Sequence, residues 1–141
     1  MTSPCAASEP IETGAGFADA LISEAIALVE RFAKTGETAT IDLGGLPMSN
    51  RDRAELDDFL GRGEVSANID VIGRTEVWET RFSGVWRVRH FGGAEVATDL
   101  IEIAACPKIL FADPRDAESA ARGMAKALEL KHGIVETPHE T

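Results

Sequence analysis

The sequence predicts an α+β domain: an antiparallel or mixed β-sheet, built from a four-strand meander plus one additional strand, with about three helices packed on one face. Three observations lead there. Apolar residues recur at helical spacing over 17–34 and again over 114–131. Between them, over 64–104, the period falls to two, the signature of half-buried strands. The breaks inside that stretch are short and rich in glycine, which joins successive strands antiparallel.

Residues 1–16 mix Ser, Pro, Ala, Glu and Gly without periodicity and read as a flexible N-terminal arm; 133–141, with Pro138, read as a flexible tail. That leaves 17–132 as a single domain. Phe17, Leu21, Ile22, Ala25, Leu28, Val29 and Phe32 form one stripe of the first helix, and Gly36 follows as its stop. The run 39–43 is a short strand closed by Gly44 and Gly45, able to join either sheet edge. Ser49 caps the second helix, with Asp52 three residues later near its exposed N–H groups. Ala54, Leu56, Phe59 and Leu60 supply its buried side, and Gly61 or Gly63 ends it.

In the meander, Val65, Ala67, Ile69 and Val71 alternate with Ser66, Asn68 and Asp70. After Gly73, Trp78 and Phe82 share one strand face, while Val77, Glu79 and Arg81 share the other. Ser83-Gly84 reads as a tight turn. The next strand sets Trp86, Val88 and His90 against Val85, Arg87 and Arg89, and Gly92-Gly93 leads into a last strand ending near Ile103. Asp113 can cap a final helix that opens with Pro114 and carries Ala117, Ala120, Ala121, Met124 and Leu128.

Composition narrows the function. At 141 residues, 44% hydrophobic and 27% charged, the chain has the means for one real core. Asp and Glu number 24 against 14 Lys and Arg, and the net charge of −10 repels polyanions. Nucleic acid and anionic membrane are therefore poor partners. Cys5 and Cys106 are too few for a disulfide scaffold. With no signal-like start and no apolar run long enough to span a bilayer, the cytoplasm is the expected address.

Chemistry is hard to find. His90, His132 and His139 show no metal-ligand spacing, so no metal site and no cofactor is expected. Cys106 precedes Pro107 at the end of an apolar strand, where an inert thiol is the default. No nucleophile elbow or phosphate-binding glycine array is present. Asp57-Asp58 and the pair Glu76 and Glu79 read as solvated carboxylates, so no catalytic residue is assigned and the chain is not read as an enzyme. Arg74, Arg81, Arg87 and Arg89 cluster on the meander without an aromatic ladder, and cross-strand pairing with Glu79 accounts for Arg87 and Arg89. If helices cover the side bearing Trp78 and Trp86, the opposite face is open. It would carry Val77, Glu79, Arg81, Val85, Arg87 and Arg89 as a partner-binding surface.

The strings Gly61-Arg62-Gly63-Glu64-Val65-Ser66-Ala67, Thr75-Glu76-Val77-Trp78-Glu79-Thr80 and Gly84-Val85-Trp86-Arg87-Val88-Arg89-His90 also carry a resemblance. With Ile41-Asp42-Leu43-Gly44-Gly45-Leu46-Pro47-Met48 upstream and Asp99-Leu100-Ile101-Glu102-Ile103 downstream, the chain over about 20–110 resembles the conserved C-terminal region of the HupH/HyaF/HoxQ hydrogenase expression proteins. The resemblance implies an accessory maturation chaperone for nickel–iron hydrogenase. It would bind and protect the immature iron–sulfur small subunit, alongside other hydrogenase accessory proteins. Members of that family are usually longer and contain related copies of this domain, so a single copy implies either a homodimer that supplies the second copy or a shortened relative whose task has drifted. Two alternatives belong to other classes: a metal or iron–sulfur carrier using Cys106 and His90, and a small hydrolase that brings Glu64, Glu76 or Glu79 together.

Overall fold

Alternation over 64–104 resolves into four strands that pair in chain order: β2 (Ser66–Val71), β3 (Gly73–Glu79), β4 (Val85–Gly92) and β5 (Glu95–Ile103). The computed structural model describes the backbone of residues 12–71 and 73–136, and the side chains of 16–70 and 73–133. A further strand, β1 (Ala39–Asp42), pairs antiparallel with β5, which gives the order β1-β5-β4-β3-β2, antiparallel throughout. The choice of edge has a packing reason. Ile41 lies opposite Ile101 and Ala39 opposite Ile103, so β1 extends an apolar surface that is already buried.

Two helices cover that surface, α1 (Glu12–Thr35) and α2 (Asn50–Leu60). Leu21 and Ala25 of α1 and Leu56 and Leu60 of α2 join Ile41, Leu43, Val85, Ile101 and Ile103 in one core. The stripe expected of the first helix is the one used, but the helix starts five residues before Phe17. Ser49 opens α2 as expected. Its Oγ accepts from the Asp52 N–H and the Asp52 Oδ2 accepts from the Ser49 N–H, both at 3.0 Å, a reciprocal capping box.

Gly61 closes α2 with φ of 59°, a left-handed conformation suited to glycine. Arg81 completes the closure. Its backbone N–H donates to the Leu60 carbonyl at 2.8 Å and its Nη2 donates to the Phe59 carbonyl at 2.7 Å. A cation thus satisfies acceptors that a helix end leaves open.

The chain divides into two compact units, one ending at Pro107 and the next beginning at Lys108. The second holds a short 3₁₀ turn (Lys108–Leu110) and α3 (Pro114–Glu136). Asp113 precedes α3, and its carboxylate accepts from the Arg115 backbone N–H at 2.8 Å and from Arg115 Nη2 at 3.0 Å. The Arg115 guanidinium, then its backbone N–H, holds the Asp113 carboxyl below the usual carboxylate range. The arm expected over 1–16 and the tail over 133–141 lie outside the described residues, except that α1 begins at Glu12 and α3 runs to Glu136.

One expectation about the sheet fails. Trp78 lies opposite Arg87, and Glu79 opposite Trp86. Directly opposed residues share a face, so the two indoles point to opposite sides. The helix-covered side carries Trp78, Val85, Arg87 and Arg89; Val77, Glu79, Trp86 and Val88 lie on the other. Trp86 is itself buried, and its Nε1 donates to the Ala104 carbonyl at 3.1 Å.

Candidate partner-binding site

Across the helix-covered face the sheet changes from oil to charge. Beneath α1, β1 and β5 present Ile41, Ile101 and Ile103. Towards β3, the same face presents Asp99, Arg87, Arg89 and Trp78 in neighbouring register. Arg87 is only 2% exposed. A buried guanidinium needs carboxylate partners, and it has two: Nη1 donates to Asp57 Oδ1 of α2 at 2.8 Å, and Nη2 to Asp99 Oδ1 at 3.0 Å. Arg89 Nη2 reaches Asp99 Oδ2 at 3.3 Å, and Arg53 Nη1 stands 3.8 Å from the same oxygen.

Trp78 forms the floor of this cluster. The guanidinium carbon of Arg62 lies 4.0 Å from the ring centroid, with those of Arg89 and Arg87 at 5.2 and 5.4 Å. Arg62 has no carboxylate partner among the described residues. Donors exceed acceptors, for the Nε atoms of Arg87 and Arg89 are buried without hydrogen-bond partners. Two cavities open here. One of about 490 Å³ includes Arg53, Asp57, Arg89 and Asp99 in its lining, and one of about 130 Å³ includes Asp57, Arg62, Trp78 and Arg87; both also touch Arg89.

A different surface lies around Phe59, near the C-terminal end of α2. Phe59 and Phe82 stack with centroids 5.4 Å apart and planes at 24°, and they are 41% and 38% exposed. With Ile22, Ile26 and Val29 of α1 they line an apolar groove of about 240 Å³. Arg81, exposed, holds its guanidinium carbon 5.1 Å from the Phe82 ring centroid.

The six residues expected to share one open face do not do so. Val77 is 1% exposed, and Val85 and Arg87 are buried too, so none of the three offers contact surface. Val85, Arg87 and Arg89 lie on the helix-covered side, and Val77 and Glu79 on the other. Arg81 stands beyond the end of β3, capping α2. The anionic partners of Arg87 and Arg89 are Asp99 and Asp57, in place of the expected Glu79. Arg53, Arg62 and Asp99 were assigned no role from the sequence, and Asp57, read there as a solvated carboxylate, is instead a partner of Arg87. A signal existed: Asp99 alternates in step with Ile101 and Ile103, which places a carboxylate on the buried side of its strand and demands a cation there.

Cys106 and His90 belong to different ends of the β4–β5 pair. Ile103, near Cys106 in sequence, pairs with Val85, and His90 lies five positions further along β4. At about 3.3 Å per residue that is roughly 17 Å. His90 Nδ1 is instead 2.7 Å from Thr75 Oγ1. Glu76 and Glu79 project from opposite faces of β3, so those two carboxylates are not brought together. Among the described residues no three His, Cys, Asp or Glu side chains are grouped to hold a metal ion, and no helix is long and apolar enough to cross a membrane.

Comparison with known proteins points one way. Residues 17–130 match the family described as HupH hydrogenase expression protein, C-terminal conserved region. The chain is 34% identical over 118 residues to the hydrogenase expression/formation protein HupH of Rhodobacter capsulatus, covering 84% of this chain and 39% of that protein. It is 35% identical over 86 residues to the hydrogenase-1 operon protein HyaF of Escherichia coli strain K12, covering 60% of this chain and 30% of that protein. The match thus spans well under half the length of these relatives. Among solved structures, the hydrogenase expression protein HupH from Thiobacillus denitrificans superposes with a TM-score of 0.74 at 32% identity, covering 80% of this chain and 95% of that one.

Proposed function

The chain belongs to the HupH hydrogenase expression protein family, matching its C-terminal conserved region, and from that premise we propose that it is an accessory maturation chaperone for nickel–iron hydrogenase. Its client is the immature iron–sulfur small subunit, which it binds and protects in the cytoplasm until assembly. The task is holding, with no bond made or broken. Other hydrogenase accessory proteins are further partners, and the chain pairs with a second copy of itself.

One observation carries the reading. The stacked Phe59–Phe82 pair is exposed in an apolar groove, and α2, which ends at Leu60, also supplies Arg53 and Asp57 to the arginine cluster. Aromatic anchors with arginine nearby are the composition of a protein-binding hot spot. Apolar surface held on a rigid scaffold can shield matching surface on an unassembled subunit, and charge nearby fixes orientation. Of the six residues first expected to bind, Arg81 and Arg89 border these two regions.

The test is calorimetric titration of the chain with a small-subunit precursor. Phe59→Ala with Phe82→Ala should weaken binding by at least about tenfold, as for buried aromatic anchors. Unweakened binding by that pair would remove the groove as the contact. A wild-type chain that fails to bind the precursor would remove the role.

A further inference from the structure

We propose that the arginine cluster is a carboxylate-binding site that takes a short acidic stretch of the client polypeptide, one carboxylate in each of the two adjoining cavities. This deepens the client-binding role proposed above and rests on it.

The charge count comes first. Arg53, Arg62, Arg87 and Arg89 bring four guanidiniums, against the carboxylates of Asp57 and Asp99. Glu76, in register with Arg89, is engaged by Arg74 at 3.9 Å. Two positive charges remain in surplus, in a chain whose net charge is −10. Such a surplus, set against the charge of the whole molecule, suits an anion.

Geometry then separates two seats. Arg62 is exposed and stacked on Trp78 at 4.0 Å, so its planar fork is held in place with its hydrogen-bond donors unclaimed by any carboxylate among the described residues. A preorganised guanidinium binds a carboxylate with little further loss of freedom. Arg53 is half-exposed and stands a loose 3.8 Å from Asp99, leaving it able to engage a second anion. Between them is Asp57, 51% exposed and shared by both cavities. Its charge repels an anion most strongly in the middle and less on either side, where the guanidiniums of Arg53 and Arg62 outweigh it. Side chains at alternate positions of an extended peptide face the same way, so acidic residues one apart present both carboxylates to the cluster together. A long polyanion is repelled by the rest of the molecule, and a single phosphate fills only one cavity.

The experiment titrates the full chain by calorimetry with a short acetylated and amidated peptide carrying two glutamates one residue apart. Its glutamine counterpart and inorganic phosphate serve as controls. The glutamate peptide should bind, more weakly as salt rises, and at least about tenfold more tightly than either control. Arg62→Ala and Arg53→Ala should each weaken it by about tenfold with an unchanged urea midpoint, since both side chains are at the surface. Equal binding of the glutamine peptide, indifference to both substitutions, or phosphate binding as tight as the peptide would each overturn the site. Capture of the small-subunit precursor, measured on the same proteins, separates the two ideas. Precursor bound without any peptide binding sinks the carboxylate site and leaves the role. Charge-dependent peptide binding without precursor capture supports the site and sinks the role.

Discussion

Arg87 shows how a side chain that reads as surface can belong to the interior. Its place on β4 was legible in the sequence, as was its membership of an arginine group. Its burial was not, because burial depends on α2 lying across it with Asp57 in reach and on β5 delivering Asp99 from the adjoining strand. Neither contact is local. The arrangement fixes what substitution does: removing one member of a buried ion pair strands the other without its partner, at a cost of about 3–5 kcal/mol. Arg87→Ala should lower the free energy of unfolding by about that much in a urea titration. Asp99→Asn should cost less, since an amide oxygen still accepts from the guanidiniums.

At the scale of the element, the helix caps and the alternation within each strand were readable because each depends on a few neighbouring residues. Ser49 and Asp52 form the box their spacing implies, and Ser49→Ala should destabilise the protein by about 1 kcal/mol, measured by thermal and urea unfolding. What failed was the relation between strands. Trp78 and Trp86 each alternate correctly, yet the register across 80–84 decides which alternating set of β3 joins which set of β4. Thr80 fixes that register. Its Oγ1 donates to the Val85 carbonyl at 2.8 Å and accepts from the Phe82 N–H at 3.1 Å. Both indoles are buried; placing them on one side was the error, and the proposed open face fell with it.

For the whole molecule, the sheet order places β5, β4 and β3 inside, with β1 and β2 at the two edges. Amides in the interior strands open only when much of the structure opens, whereas an edge frays locally. Hydrogen exchange followed by mass spectrometry should show the slowest exchange in β4 and β5 and faster exchange in β2. The fold class was legible because four consecutive strands with short connections leave few topologies. The site was not, because it collects Arg53, Arg62, Arg87 and Asp99 from separated parts of the chain. The opposed tryptophans bring a practical gift. With no tyrosine in the chain, ultraviolet emission comes from two indoles in unlike settings, one walled by guanidiniums and one hydrogen-bonded to a carbonyl. Replacing either by phenylalanine leaves a single lamp, so the molecule carries its own separate gauge for each side of its sheet.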